Sequence, residues 1–71
     1  MSEPLPILLE QSVQIAWDYL ERTGEIEYAA DASRFLRWTI EEMVRQGEHR
    51  RLLLSNRAID AYCRRKQAIA A

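Results

Sequence analysis

Cysteine occurs once in these 71 residues, histidine once, and glycine and proline twice each. With Cys63 alone, no disulfide can form within the chain, and small secreted domains ordinarily depend on such staples, so a reducing cytoplasm is the expected setting. His49 stands between Glu48 and Arg50 and cannot by itself assemble the three or four ligands of a zinc site. Its expected place is a solvent-facing loop, or the carboxyl end of the helix before it. Long apolar runs are missing too. The stretch Leu5 to Leu9 is broken by Glu10, and Met1-Ser2-Glu3-Pro4 has no basic leader, so signal peptide, anchor and membrane span are all unexpected. There is no Gly-rich phosphate loop and no nucleophile elbow around a serine. Glu41 and Glu42 are neighbours that diverge by about 100° on a helix, and Glu25 and Glu27 fall in a connection, so no carboxylate pair converges for acid-base work. Cys63 shares an apolar stripe with Ile59 and Tyr62, which predicts an inert, packed thiol. A non-enzymatic chain without metal or cofactor is the expectation.

What the chain does contain is apolar residues (48%) and charge (30%), enough of the first to fold and enough of the second to remain dissolved. The charge is divided by position. Residues 1–33 carry seven acids against Arg22 alone, and residues 34–71 carry nine bases against Glu41, Glu42, Glu48 and Asp60, so the halves sum to −6 and +5. A chain this short hides only about 60% of its unfolded surface, so one layer of helix on helix is the architecture within reach. With this apolar fraction, some apolar surface is expected to look for a second chain.

Pro4 and Pro6 stand where a first helical turn tolerates proline, and Gly24 and Gly47 stand where two periodic segments end. This punctuation predicts an all-α, compact three-helix bundle with short connections, a single domain with helices at roughly 6–23, 31–46 and 50–68. In the first helix Leu9, Val13, Ala16, Trp17 and Leu20 form one stripe, and Leu8, Ile15 and Tyr19 a second beside it. Together they cover about half the circumference, more than one neighbour requires. Asp31 is the expected cap of the second helix, whose core stripe reads Ala32, Phe35, Leu36, Thr39, Ile40 and Met43. Trp38 points about 130° away from that stripe, toward Arg34 and Arg45. In the third helix Leu52, Ile59, Tyr62, Cys63 and Ile69 share a face with Ser55. Leu53 and Leu54 fit it poorly: Ser55 caps a helix that begins later, or a continuous helix wedges Leu53 against the first, and the second arrangement is preferred. Helices two and three should form a hairpin, with the first lying across both.

Two surfaces emerge as candidates. Trp38 with Arg34 and Arg45 has the composition of an interface hot spot, and the surplus apolar face of helix one adds Leu8 and Ile15. These five residues suggest a small interaction or regulatory module whose partner is a second copy or another protein. The second surface is basic, spanning Arg45, Arg50, Arg51, Arg57, Arg64, Arg65 and Lys66. Arg50, Arg57 and Arg64 recur at intervals of seven and face away from the core, as a helix-turn-helix reader of nucleic acid would need. Against this stands a pI near 5.8, because groove readers carry clear net positive charge. The basic last helix lying beside the acidic first helix, with Arg64, Arg65 and Lys66 complementing the carboxyl end of its dipole, accounts for the pattern more simply.

The run Gly47-Glu48-His49-Arg50-Arg51-Leu52-Leu53-Leu54-Ser55-Asn56-Arg57-Ala58-Ile59-Asp60-Ala61-Tyr62 resembles the C-terminal half of a group of very small uncharacterised bacterial proteins. Ala16-Trp17-Asp18-Tyr19-Leu20-Glu21 is similar to their first helix. The two segments cover a little under a third of the chain, and Ser55-Asn56-Arg57 is the most distinctive piece. The resemblance implies a compact cytoplasmic three-helix protein and brings with it no catalytic residue, ligand or partner. Polar Ser55 and Asn56 near the core face are expected to hydrogen-bond to a neighbouring helix or connection.

Overall fold

The computed structural model describes residues 4–70; Glu3, counted in the acidic half, lies outside them. They form three α-helices, α1 (Leu5–Arg22), α2 (Ala29–Arg45) and α3 (Arg51–Ala70), and every pair is in contact. The chain runs up, down and up, so the start of α1 lies beside the end of α2, and the start of α2 beside the end of α3. The three-helix bundle expected from the periodicity is the fold.

Both glycines act as helix terminators. Gly24 (φ 75°) and Gly47 (φ 101°) adopt the left-handed conformation that side chains avoid. At each, two amide-to-carbonyl bonds close the helix end: Gly24 to Glu21 and Glu25 to Leu20 after α1, Gly47 to Val44 and Glu48 to Met43 after α2. This pairing satisfies carbonyls that would otherwise be left without donors. Pro6 occupies the first turn of α1, where the missing amide hydrogen costs nothing. The start of α2 differs from expectation. It begins two residues before Asp31, with Tyr28 as the capping position and no side-chain cap. Asp31 therefore lies inside the first turn, favourably placed for the dipole but turned to Arg65 of α3, 3.0 Å away.

The core is built from three i,i+4 rows: Leu8, Ser12, Ala16 and Leu20 on α1, Ala32, Leu36 and Ile40 on α2, and Leu54, Ala58 and Tyr62 on α3, with Ser55 beside them. Leu9, Val13, Trp17, Phe35, Met43, Ile59 and Cys63 pack half-buried around this centre. Small residues recur in every row, and they let long aliphatic neighbours interdigitate. Several expectations are corrected here. Leu8 belongs to the core at 3% exposure and offers nothing to a partner, while Tyr19 of the same supposed stripe is 47% exposed. On α3, Leu54 rather than Leu53 enters the core; Leu52, two residues and about 200° round from Leu54, is 68% exposed. Ile69 is also exposed, because α3 continues a turn past the level at which Asp31 meets Arg65. Ser55 does not reach a neighbouring helix: its hydroxyl donates to the Leu52 carbonyl of its own helix at 3.0 Å, and Asn56 is exposed. Among the described residues no helix is long and apolar enough to cross a membrane.

Candidate functional site

The division of charge along the sequence has a local destination. At the end of the bundle where α1 stops and α3 finishes, Lys66 Nζ donates to the Glu25 carbonyl at 3.0 Å and lies 3.3 Å from the Glu25 carboxylate and 3.7 Å from that of Glu27. The Tyr62 hydroxyl reaches the same carbonyl at 3.5 Å. Beside them Arg65 holds Asp31 with both guanidinium nitrogens, at 3.0 and 3.4 Å. The acidic connection and the basic last helix are thus clasped within one chain. Burial works to lower the Lys66 pKa, but the hydrogen bond and charge of Glu25, with Glu27 and Tyr62, outweigh it and hold the ammonium above its usual value.

The other basic residues are largely engaged with nearby acids. Arg64 pairs with Asp60 at 3.1 Å one turn earlier. Arg50 donates its backbone and side-chain N–H groups to the Glu48 carboxylate, which also places negative charge at the amino end of α3. These hydrogen bonds hold Glu48 down at about 2. Arg57 is exposed, about 60° round the helix from the buried Leu54. The three arginines at seven-residue spacing are therefore not an unshared row of positive charge. Cys63 is half-buried, and desolvation, then the charges of Glu25 and Asp60, push its thiol up and away from the reactive thiolate. His49 is exposed in the connection between α2 and α3. Among the described residues no group of three or more His, Cys, Asp or Glu is arranged to hold a metal ion.

The outward face of α2 is of a different kind. Trp38 is 61% exposed, although its ring is the largest apolar group on that helix. It borders an open depression shared with Asp31, Arg34, Phe35 and Arg65. The floor is built of stacked groups: the Arg65 guanidinium lies over the Phe35 ring at 4.9 Å, and Phe35 meets Tyr62 with centroids 6.0 Å apart. Through Asp31 and Arg65 the depression continues into a cleft of about 240 Å³ edged by Tyr28 and Ile69, both more than 70% exposed. Sequence reasoning placed Trp38 and Arg34 on this face but missed Tyr28, Phe35 and Arg65. Pairing across helices brings those in, and no single-helix pattern shows it.

Arg45, grouped with Trp38 from the sequence, sits two turns away at the far end of α2. It binds Glu42 at 2.6 Å, approaches Glu41 at 3.8 Å, and edges a separate apolar groove with Leu5, Pro6, Leu9 and Val44. Ile15 is half-buried on α1 and forms no part of the Trp38 surface. No family model matches this chain, and neither curated proteins nor solved structures contain a match to it.

Proposed function

We propose that the chain is a small non-enzymatic protein-interaction or regulatory module, acting in the cytoplasm and self-associating through the outward face of α2. The observation that carries this reading is Trp38, left 61% exposed beside a depression it shares with Arg34 and Arg65. Covering the exposed part of a tryptophan ring is worth about 3 kcal/mol, which a monomer of this size forgoes at some cost to its margin. Tryptophan and arginine together are the residues that dominate binding energy at protein interfaces. Sedimentation velocity across a concentration series, at low and moderate salt, tests the reading. The expected result is a concentration-dependent shift toward a dimer; a monomer under every condition refutes self-association. The nucleic-acid alternative, through Arg50, Arg57 and Arg64, draws less support, because Glu48 and Asp60 already engage two of the three arginines.

A further inference from the structure

We propose that the occupant of the Trp38 face is a second copy of this chain, docked with the two α2 helices antiparallel about a two-fold axis beside Trp38. This rests on the self-association reading above and adds to it the orientation and the pairs. The outward face of α2 reads Asp31, Arg34, Trp38, Glu41 and Arg45, at steps of three and four residues, so all five lie along one side of the helix. Its charges run minus, plus, tryptophan, minus, plus. Reversing that order inverts every sign: minus is set against plus at each level. Asp31 and Arg45 each lie seven residues from Trp38, about 10 Å along the axis on either side, so the two-fold sets Asp31 of one copy against Arg45 of the other. Arg34 likewise comes to the level of the other copy's Glu41, and the two Trp38 rings meet at the centre.

The alternative arrangements fare worse on the same residues. A parallel pairing in register sets each charge against its own kind, Arg34 on Arg34 and Glu41 on Glu41, which is repulsive. Arg34 is exposed and has no ion pair among the described residues, and Glu41 is held only loosely at 3.8 Å from Arg45. Both groups are therefore available across an interface. Asp31 and Arg45 keep their partners within the chain, Arg65 and Glu42, and each would gain a further opposite charge. One helix against one helix hides less than the roughly 800 Å² per partner of a stable complex, so the dimer is expected to be weak, dissociating at about 1 μM or above.

The test is sedimentation equilibrium to about 1 mM chain at low salt on the wild type, Trp38→Ala, Arg34→Glu, Glu41→Arg and the double variant Arg34→Glu/Glu41→Arg, with helical content checked by circular dichroism. The expected result is a wild-type dimer abolished by Trp38→Ala and weakened about tenfold by either single charge reversal, since each reversal acts twice in a two-fold dimer. The double variant restores the opposite signs and should return to within about threefold of wild type. A double variant as weak as the singles overturns the pairing. A wild-type dimer indifferent to all four changes overturns this face while leaving self-association standing. A wild-type chain monomeric throughout overturns both.

Discussion

Replacing Lys66 with Met removes the ammonium that fastens the end of α3 to the connection after α1 while keeping most of the side chain's apolar stem. Three contacts are lost: the donation to the Glu25 carbonyl at 3.0 Å and the ion pairs to Glu25 and Glu27 at 3.3 and 3.7 Å. The hydrogen bond from the charged group to a part-buried carbonyl is the largest of the three, and the exposed ion pairs add less. Lys66→Met should therefore lower Tm by about 5 to 10 °C in a domain this small. The control is Arg64→Met, which removes a one-turn pair to Asp60 that is largely in water and should cost no more than about 0.5 kcal/mol. Thermal unfolding followed by circular dichroism, at one fixed and low protein concentration, separates the two. The pH dependence adds a second check. Because the folded-state pKa of Lys66 is raised, the stability it contributes is fully present below the unfolded value of 10.5 and is lost as pH rises through the higher folded value. The difference between wild type and Lys66→Met should accordingly hold from neutral pH to about 10 and shrink above it. Equal losses in Lys66→Met and Arg64→Met would refute the claim that the clasp, rather than ordinary surface charge, secures this end of the bundle.

Three further substitutions probe the core and its edge. Leu54→Ala should cost about 2 to 5 kcal/mol and leave little folded chain, whereas Leu52→Ala should stay within about 0.5 kcal/mol; urea unfolding of both distinguishes the buried leucine from its exposed neighbour. Ser12 is fully buried and its hydroxyl has no hydrogen-bond partner among the described residues, so Ser12→Ala should raise stability by about 1 kcal/mol in the same assay.

The helices were legible because their signals are local. Two glycines at the ends of apolar periodic segments and two prolines at the start of the first are sufficient to divide this chain, and both glycines adopt the conformation that only glycine takes freely. The packing faces were read less well, and serine is the reason. On α1 the true centre is Leu8, Ser12, Ala16, Leu20, but a polar symbol at Ser12 interrupts that row and shifts a hydrophobic count toward Leu9, Val13 and Trp17. On α3 the row Leu54, Ala58, Tyr62 is short, and two of its members are small or amphipathic, so Leu52 and Ile69 looked equally entitled to the interior. A small side chain marks close approach between helices whatever its polarity, and that depends on the neighbour's backbone, which no single-helix pattern contains. Asp31 shows the same limit from the polar side. As a residue it suits a cap, and only the approach of Arg65 from thirty-four positions later gives its carboxylate a different task.

The sign of the charge along the chain carried more than the count of it. Folding assigns much of the apparent excess to partners inside the chain: Lys66 and Arg65 to the acids of residues 25–31, Arg64 to Asp60, Arg50 to Glu48. What this bookkeeping leaves is informative, since Arg34 stands beside the most exposed large aromatic of α2 and no acid among the described residues pairs with it. Trp38, Arg34 and Arg45 are all exposed along α2, but they form no single contact, because seven helical residues separate Trp38 from Arg45 by about 10 Å. That spacing is too long for one site on a monomer. It is the spacing at which the second copy's Asp31 would arrive if α2 met itself antiparallel, so the pattern that fails as a local cluster is self-complementary in charge.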